Sequence, residues 1–309
     1  MRRGTGVWCA IVVLAVVVSA FCWTAGSEEA GTYKIRVDID QGGSDVTNEV
    51  TQVCNVTLIS NWSTKPVIVN TQVNLESEDD LKFIYDILSE IESHGWITSV
   101  FVTGDFASTH PEVVRKIENR GHYIGVYGWK DEDLSLLSYN EQLELIKKAT
   151  SAVRRAVNNP EYVVDFKPQN LKYNDDTIKA LQDLEMKSIT AAFSANESFV
   201  KCPYAKMVGK VTFPYPITTD FSAVPISDVK IGSEEVLLDD NVVFSKLVPE
   251  DYLNYLKEEF DEHNETKDPM VIVVTPSVTG ADEKKLQVLS QFLDYVDEKG
   301  GKVKPTAPI

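Results

Sequence analysis

Residues 98–126 read TSVFVTGDFASTHPEVVRKIENRGHYIGV, and this stretch decides the fold class of the chain. The apolar run at 99–102 is typical of a strand that is buried on both faces. A helix is predicted to begin at Pro111 and to end before Gly121, because proline suits the first helical turn and glycine the position after the last. A second apolar run at 122–126 predicts the next strand. The stretch therefore predicts a strand–helix–strand unit with parallel strands.

The same alternation extends in both directions along the chain. Strands are predicted at 67–69, 99–102, 122–126, 163–166 and 270–274, and helices at 77–91, 111–120, 140–157, 175–184, 249–260 and 281–298. Repeated strand–helix units predict a parallel sheet covered by helices, either a barrel or a doubly wound sheet. Residues 202–238 give no clear pattern. Residues 27–65 hold short alternating runs instead, which predict a small β-rich N-terminal extension.

Composition and charge exclude several classes of protein. The chain has 309 residues, of which 43% are hydrophobic, so it is neither disordered nor collagen-like. Its 30 Lys and Arg stand against 47 Asp and Glu, a formal charge of −17. Because binding to phosphates needs a concentrated positive face, we expect no nucleic-acid partner.

The N-terminus predicts export. Arg2 and Arg3 precede an apolar run at 7–23 and small residues at 24–26, the pattern of a signal peptide that is removed as residues 1–26. The alternative is an uncleaved anchor, since this run of 17 residues lies at the lower limit for spanning a bilayer. We therefore expect a secreted or extracellular protein, or one anchored at the cell surface, whose only membrane contact is that anchor.

Export changes how the cysteines and asparagines are interpreted. Cys54 and Cys202 are the cysteines left after cleavage, and in an oxidising compartment they either form one bridge or stay as buried thiols. Four Asn-x-Ser/Thr sequons are candidate glycosylation sites, at Asn55, Asn61, Asn196 and Asn264. The interpretation is that of a glycoprotein.

Several spaced motifs resemble the polysaccharide deacetylase family, also called NodB-type or family-four carbohydrate esterases. Residues 98–104 with His110-Pro111-Glu112 resemble its "ATFFVTG … HPE" region, and 121–125 resemble "GHEIG". Phe166-Lys167-Pro168 with the downstream Tyr173-Asn174 resembles "FRPP…YN". The resemblance implies a distorted (β/α) barrel over 66–300, after the extension at 27–65 and before a C-terminal tail at 301–309.

The resemblance also implies a metal site, but the side chains it needs are missing. Family members use an Asp and two His to hold a divalent metal, usually zinc, with a second Asp as base and a late His as acid. We align the family's T-F-D-D-G motif with residues 70–74. Other residues then occupy the site positions: Gln72 and Val73 for the aspartates, Tyr127 and Asp131 for the metal-binding histidines, and Thr275 for the late histidine. We therefore expect no catalytic residue and no zinc at these positions.

The vacated cleft is predicted to bind a glycan. Aromatic faces stack on sugar rings, and amide or ammonium groups donate hydrogen bonds to sugar oxygens. The candidates are Tyr127, Trp129, Lys167 and Asn170. The resulting hypothesis is a catalytically inactive protein of carbohydrate or cell-envelope metabolism whose partner is an envelope polysaccharide. Two alternatives stay open: an active hydrolase of acetylated glycans with a rebuilt site that uses zinc, and a structural cell-surface protein. The oligomeric state is not indicated.

Overall fold

The computed structural model describes residues 32–38, 51–57, 66–191, 221–266 and 269–306, the first two segments as backbone only. The chain divides into two compact units, Met1–Lys65 and Pro66–Ile309. In the first unit, β1 (Thr32–Asp38) pairs antiparallel with β2 (Thr51–Thr57). The predicted signal segment, Cys202 and two of the sequons lie outside the described residues.

The second unit is built on one parallel sheet. In spatial order its strands are β11 (Met270–Val274), β3 (Ile68–Leu75), β4 (Ser99–Val102), β5 (Tyr123–Val126), β6 (Asp165–Phe166), β7 (Ser188–Ala191) and β8 (Ser222–Pro225). A short strand, β12 (Lys302–Val303), also pairs with β3. Every pairing in this sheet is parallel.

Helices follow the strands, as the alternation predicts. They are α1 (Glu78–Leu81), α2 (Ile84–Ser93), α3 (Gly104–Thr109), α4 (Pro111–Asn119), α5 (Tyr139–Ala156), α6 (Asp175–Asp183), α7 (Asp240–Val243), α8 (Pro249–Thr266), α9 (Pro276–Thr279) and α10 (Glu283–Glu298). Side-chain caps set several starts, since the Ser77 and Asn174 side chains each accept a hydrogen bond from a backbone N–H of the first turn. The helix expected at 77–91 is two helices, α1 and α2, with a break at 82–83.

The sheet nearly closes on itself between β8 and β11. Ser227, just after β8, donates its backbone N–H to the carbonyl of Val271 at 3.0 Å and accepts from the Val271 N–H through its hydroxyl. Val273 donates its N–H to the carbonyl of Leu238 on the same side. The distorted (β/α) barrel is therefore confirmed. The stretch 202–238, for which the sequence gives no clear pattern, contains the antiparallel hairpin of β9 (Asp228–Ile231) and β10 (Glu234–Leu237).

Alternation along the strands separates a helix-facing core from a barrel interior. On β11, Met270, Ile272 and Val274 pack in the main hydrophobic core, whereas Val271 and Val273 belong to a separate cluster with Ile226. Side chains of successive residues point to opposite faces, so this second cluster lies inside the barrel. On β3 the same alternation turns Asn70, Gln72 and Asn74 inward, because Val69, Val73 and Leu75 belong to the main core.

Residues 301–306 belong to the barrel, which corrects the expected boundary at residue 300. Thr306 is buried, donates its N–H to the Ser99 hydroxyl at 2.8 Å and donates its own hydroxyl to Asn70 at 3.0 Å. Asn70 donates in turn to the carbonyl of Lys304. Residues 304–306 therefore supply hydrogen-bond partners to the buried polar side chain of Asn70 on β3. This segment is part of the barrel rather than a loose tail.

Candidate functional site

The carboxyl ends of the parallel strands meet at one edge of the barrel, here called the mouth. In parallel-strand barrels this edge carries the functional groups, because loops from every strand converge there. Four inward-facing or terminal residues reach the mouth: Asn74 on β3, Tyr127 after β5, Lys167 after β6 and Thr275 after β11. All four are buried.

Lys167 occupies the centre of this group. Its side chain is fully buried, and its Nζ donates a 2.7 Å hydrogen bond to Asn74 Oδ1. The ammonium also lies 5.4 Å from the ring centroids of Phe101 and of Tyr127. Burial lowers the pKa of Lys167 to about 8, although nearby carboxylates, Asp239 first, act in the opposite direction. The interior therefore holds a cation whose charge is weakly compensated.

Asp239 and Asp240 approach the mouth from the end of β10. Asp240 is buried, and its Oδ2 accepts from the Thr275 N–H and from the Thr279 hydroxyl, both at 2.7 Å. Its Oδ1 has no hydrogen-bond partner among the described residues. Burial, together with the neighbouring Asp239 carboxylate, raises the pKa of Asp240 to about 7. Burial also raises the pKa of Asp239. This pair can therefore hold a proton near neutral pH.

Glu76 adds a carboxylate on the open side of the mouth. It follows β3 directly and keeps a solvent-exposed face. Partial burial raises its pKa, and the Asp80 carboxylate adds to the rise. Asp80 itself is committed to structure, because its Oδ2 accepts from the backbone N–H groups of Glu76 and Ser77 and its Oδ1 from that of Ser277. Among these carboxylates, Glu76 is thus more available than Asp80.

The loop after β6 forms the rim. Asn170 and Leu171 both have left-handed backbones, with φ values of 53° and 55°. Such a conformation is unusual for a branched residue and stores strain. Leu171 packs against the interior cluster of Ile226, Val271 and Val273, whereas the exposed Asn170 donates to Asp131 Oδ1 at 3.1 Å. Asn170 and Asp131 are therefore the accessible polar pair of the rim.

Three of the four predicted sugar-binding residues, Tyr127, Lys167 and Asn170, lie around the mouth. They do not form an exposed aromatic surface. Tyr127 and Lys167 come together in the interior, where Tyr127 keeps 8% exposure and Lys167 none. The prediction that Lys167 borders an accessible surface is therefore corrected. Burial, followed by the Glu76 carboxylate, raises the pKa of Tyr127. Asn170 is the exposed member of the set.

Trp129 does not lie at the mouth, which corrects the prediction that its ring contributes to the sugar-binding cleft. Its ring packs beside Gly104, where a Cβ would stand 2.6 Å from the ring, and Lys148 Nζ lies 3.4 Å above the ring centroid. Gly104 and Lys148 belong to the outer helices α3 and α5. The strand ends at Val126 and Gly128 has φ +59°, so the alternation that would turn residue 129 inward is interrupted.

Gln72 and Val73 lie away from the mouth. Gln72 pairs in register with Ser99, the first residue of β4, and its Nε2 donates to Asn70 and Thr190 inside the barrel. Val73 faces the helices. The residue of β3 that faces the mouth is instead Asn74, two positions later. Sequence reasoning missed Asn74, although the polar alternation of β3 could have indicated it, and it also missed Asp239 and Asp240.

The residues at the mouth do not fit a zinc ion. Zinc sites need about three His, Cys or carboxylate ligands, and across 66–191, 221–266 and 269–306 no three such side chains are placed to share a metal ion. Asn74 Oδ1 already accepts from the Lys167 ammonium, which would repel a divalent cation. The four histidines pair elsewhere: His94 with Asp294 and Asp297, His110 with Glu78, His122 with Glu92, and His263 with Glu259.

Comparison with known proteins shows what this domain is similar to. Residues 77–189 match the family model described as polysaccharide deacetylase. A peptidoglycan-N-acetylglucosamine deacetylase of Bacillus cereus is 29% identical over 76 residues, which is 25% of this chain and 28% of the relative. An uncharacterised 30.6 kDa protein of Geobacillus stearothermophilus is 31% identical over 67 residues, 22% of this chain and 24% of that protein. The matched stretches thus span about a quarter of each curated relative.

Solved structures share the fold at low sequence identity. A polysaccharide deacetylase-like protein of Mycobacterium smegmatis superposes with a TM-score of 0.57 at 17% identity, covering 77% of this chain and 86% of the other. A CE4 family pseudoenzyme of Bacillus anthracis superposes with a TM-score of 0.53 at 12% identity, covering 78% of this chain and 64% of the other. Among the described residues, no helix has the length and apolarity that crossing a bilayer requires.

Proposed function

We propose that this chain, whose residues 77–189 match the polysaccharide deacetylase family model, is a secreted, catalytically inactive glycan-binding protein of carbohydrate or cell-envelope metabolism. The contact between Lys167 Nζ and Asn74 Oδ1 carries the proposal. It joins the ends of β6 and β3 and fills the centre of the mouth with a buried cation and a neutral amide. A CE4 pseudoenzyme of the same fold supports this interpretation by analogy.

Loss of metal-dependent hydrolysis follows from the charge of these groups. A metal that polarises an acetyl carbonyl must be held by anionic or imidazole ligands, and its water must be activated by a base. Asn74 is not a base, and its carbonyl oxygen is occupied by Lys167. Tyr127 is buried, and the rise in its pKa keeps the phenol neutral. We therefore expect no zinc-dependent deacetylation.

Glycan binding is proposed at the rim rather than at the floor of the mouth. Asn170, Asp131 and Glu76 are exposed there. Carboxylate oxygens accept from sugar hydroxyls, and the Asn170 amide both donates and accepts. Because few apolar contacts are available to add affinity, we expect a dissociation constant of about 0.1–1 mM, equivalent to roughly −4 to −5.5 kcal/mol.

A binding experiment tests the rim. Titration of the protein with peptidoglycan and chitin oligosaccharides, followed by NMR, should give saturable shifts at 127–131 and 167–171. Asn170→Ala should weaken binding at least fivefold, whereas Gln287→Ala, which removes an exposed amide on α10, should not change it. Zinc analysis of the dialysed protein is expected to find far less than one equivalent. Stoichiometric zinc, or affinity unaffected by Asn170→Ala, would contradict the proposal.

The Asp239–Asp240 pair favours a second candidate, an active hydrolase with a rebuilt, metal-independent site. A carboxyl with a pKa of about 7 suits general acid–base catalysis at neutral pH, and Asp240 has that value. This candidate predicts hydrolysis of a chromogenic acetyl ester that survives chelator and is lost in Asp240→Asn. No hydrolysis above the buffer rate would eliminate it.

A further inference from the structure

We propose a second carbohydrate site, a groove at the opposite end of β5 from the mouth, that takes one pyranose ring bearing an amino group. The groove lies where the turn after α4, the start of β5, the end of α5 and the 3-10 turn Pro160–Tyr162 meet. The proposal rests on the glycan-binding function proposed above, but it uses none of the residues of the mouth.

The cavity has the size of one six-membered ring. Its volume is about 150 Å³, and its lining includes Glu118, Ile124, Val157, Asn159, Tyr162 and Val163. A cavity of about 150 Å³ can hold benzene when its walls are entirely apolar. Here part of the wall is polar, so the ring that fits carries polar substituents.

Tyr162 provides a face for stacking. The residue is 57% exposed, and it is one of four exposed large hydrophobic residues within the described part of the chain. The 3-10 turn begins with Pro160, whose ring fixes the backbone before Tyr162. Ile124, Val157 and Val163 form the apolar side of the cavity. The C–H face of a sugar can pack on such a surface while its hydroxyls stay in water.

Glu118 provides a positioned carboxylate at the polar side. Its Oε2 accepts from the Asn158 N–H at 2.6 Å, and its Oε1 accepts from the N–H of Asn159 at 3.0 Å and from its Nδ2 at 2.9 Å. These bonds fix the carboxylate, and the oxygens keep further lone pairs for a ligand. Asn159 is exposed beside it and can accept from a hydroxyl.

Charge selects the class of sugar. Among the described residues, those that line the groove include a carboxylate but no lysine or arginine, and the whole chain carries a formal charge of −17. Uronic acids and phosphorylated sugars would be repelled, whereas an ammonium would gain a charge-assisted hydrogen bond from Glu118. The structure therefore assigns the groove to a glucosamine-type unit rather than to an acidic sugar.

The experiment is an NMR titration of the protein with chitosan disaccharide, with cellobiose as the matched sugar that lacks amino groups. Chitosan disaccharide should shift resonances at 118–124 and 157–163 and bind at least fivefold more tightly than cellobiose. Tyr162→Ala should weaken both at least tenfold. Leu136→Ala, which removes another exposed side chain, should leave both unchanged. Glu118→Gln should remove the preference for the amino sugar.

The outcomes separate this inference from the mouth proposal. Shifts confined to the mouth, insensitive to Tyr162→Ala and weakened by Asn170→Ala, would overturn the groove and leave the mouth proposal standing. Shifts at the groove that persist in Asn170→Ala would support the groove alone. Equal affinity for the two disaccharides would overturn the assignment to amino sugars, and no shift at the groove with either disaccharide would overturn the groove itself.

Discussion

Replacing Lys167 with methionine should change how the stability of the protein depends on pH. Burial lowers the pKa of Lys167 from its ordinary 10.5 to about 8. The folded chain therefore releases this proton at a lower pH than the unfolded chain does. Because the unfolded state then binds more protons between pH 8 and 10.5, the unfolding free energy of the wild type rises through that window. Methionine keeps an unbranched side chain, one atom shorter than that of lysine, but has no proton to release.

The size of the effect follows from the pKa difference. At about 1.36 kcal/mol per pKa unit, burying the charged amine costs roughly 3.4 kcal/mol below pH 8. By pH 9.5 about half of that cost is removed, so the wild type should gain about 1.5 kcal/mol over Lys167→Met between pH 8 and 9.5. At pH 8 the variant loses the charged hydrogen bond to Asn74, worth about 1.5–3 kcal/mol, which offsets much of the relieved cost.

Urea unfolding at several pH values measures this difference. The window begins at pH 8 because the pKa of Asp240 is about 7 and that group faces the same cluster. Lys172→Met, which removes an exposed lysine of the same loop, is the control and should stay within about 0.5 kcal/mol of the wild type at each pH. A difference between wild type and Lys167→Met that is constant with pH, or that falls as pH rises, would refute the burial of a charged amine.

Three further substitutions test other parts of the barrel. Burial raises the pKa of Asp240 from 3.8 to about 7, so Asp240→Asn should gain stability relative to the wild type as pH rises from 4 to 7, by about 3.4 kcal/mol in urea unfolding. A difference that does not change with pH would contradict this. The Leu171→Gly variant should have an unfolding free energy about 1 kcal/mol higher than that of Leu171→Ala, because φ is 55° there and only glycine is unstrained. The reverse order would show that the backbone relaxes. Gly125→Ala should destabilise the protein by about 1–3 kcal/mol, seen as a lower thermal midpoint, because its Cβ would stand 2.6 Å from the Phe101 ring. An unchanged midpoint would mean that the ring can move.

Much of the fold could be predicted because its signals are local. Apolar runs mark the strands, and the glycines that end helices at 95 and 121 have φ values of +73° and +97°, which only glycine adopts freely. The boundary near residue 300 was wrong because a two-residue strand gives no periodic signal. The strand is held beside β3 by the backbone N–H groups of Lys302 and Lys304, which donate to the carbonyls of Val67 and Val69. Lys304 and Thr306 also form hydrogen bonds with Asn70, more than 230 residues away.

The sequence by itself determined that the family's metal ligands are missing at the aligned positions, since a missing imidazole needs no coordinates to detect. Only the tertiary structure decided what replaces them. Asn74 and Lys167 are 93 residues apart. They meet because β3 and β6 end at the same edge of one barrel and both side chains face its interior. Tyr127 and Trp129 are two residues apart, and they separate because the strand ends at Val126 and Gly128 turns the chain. The alternation along a strand predicts which way a side chain points only while the strand continues. Contacts between distant strands depend on how the barrel closes, and no local sequence pattern contains that information.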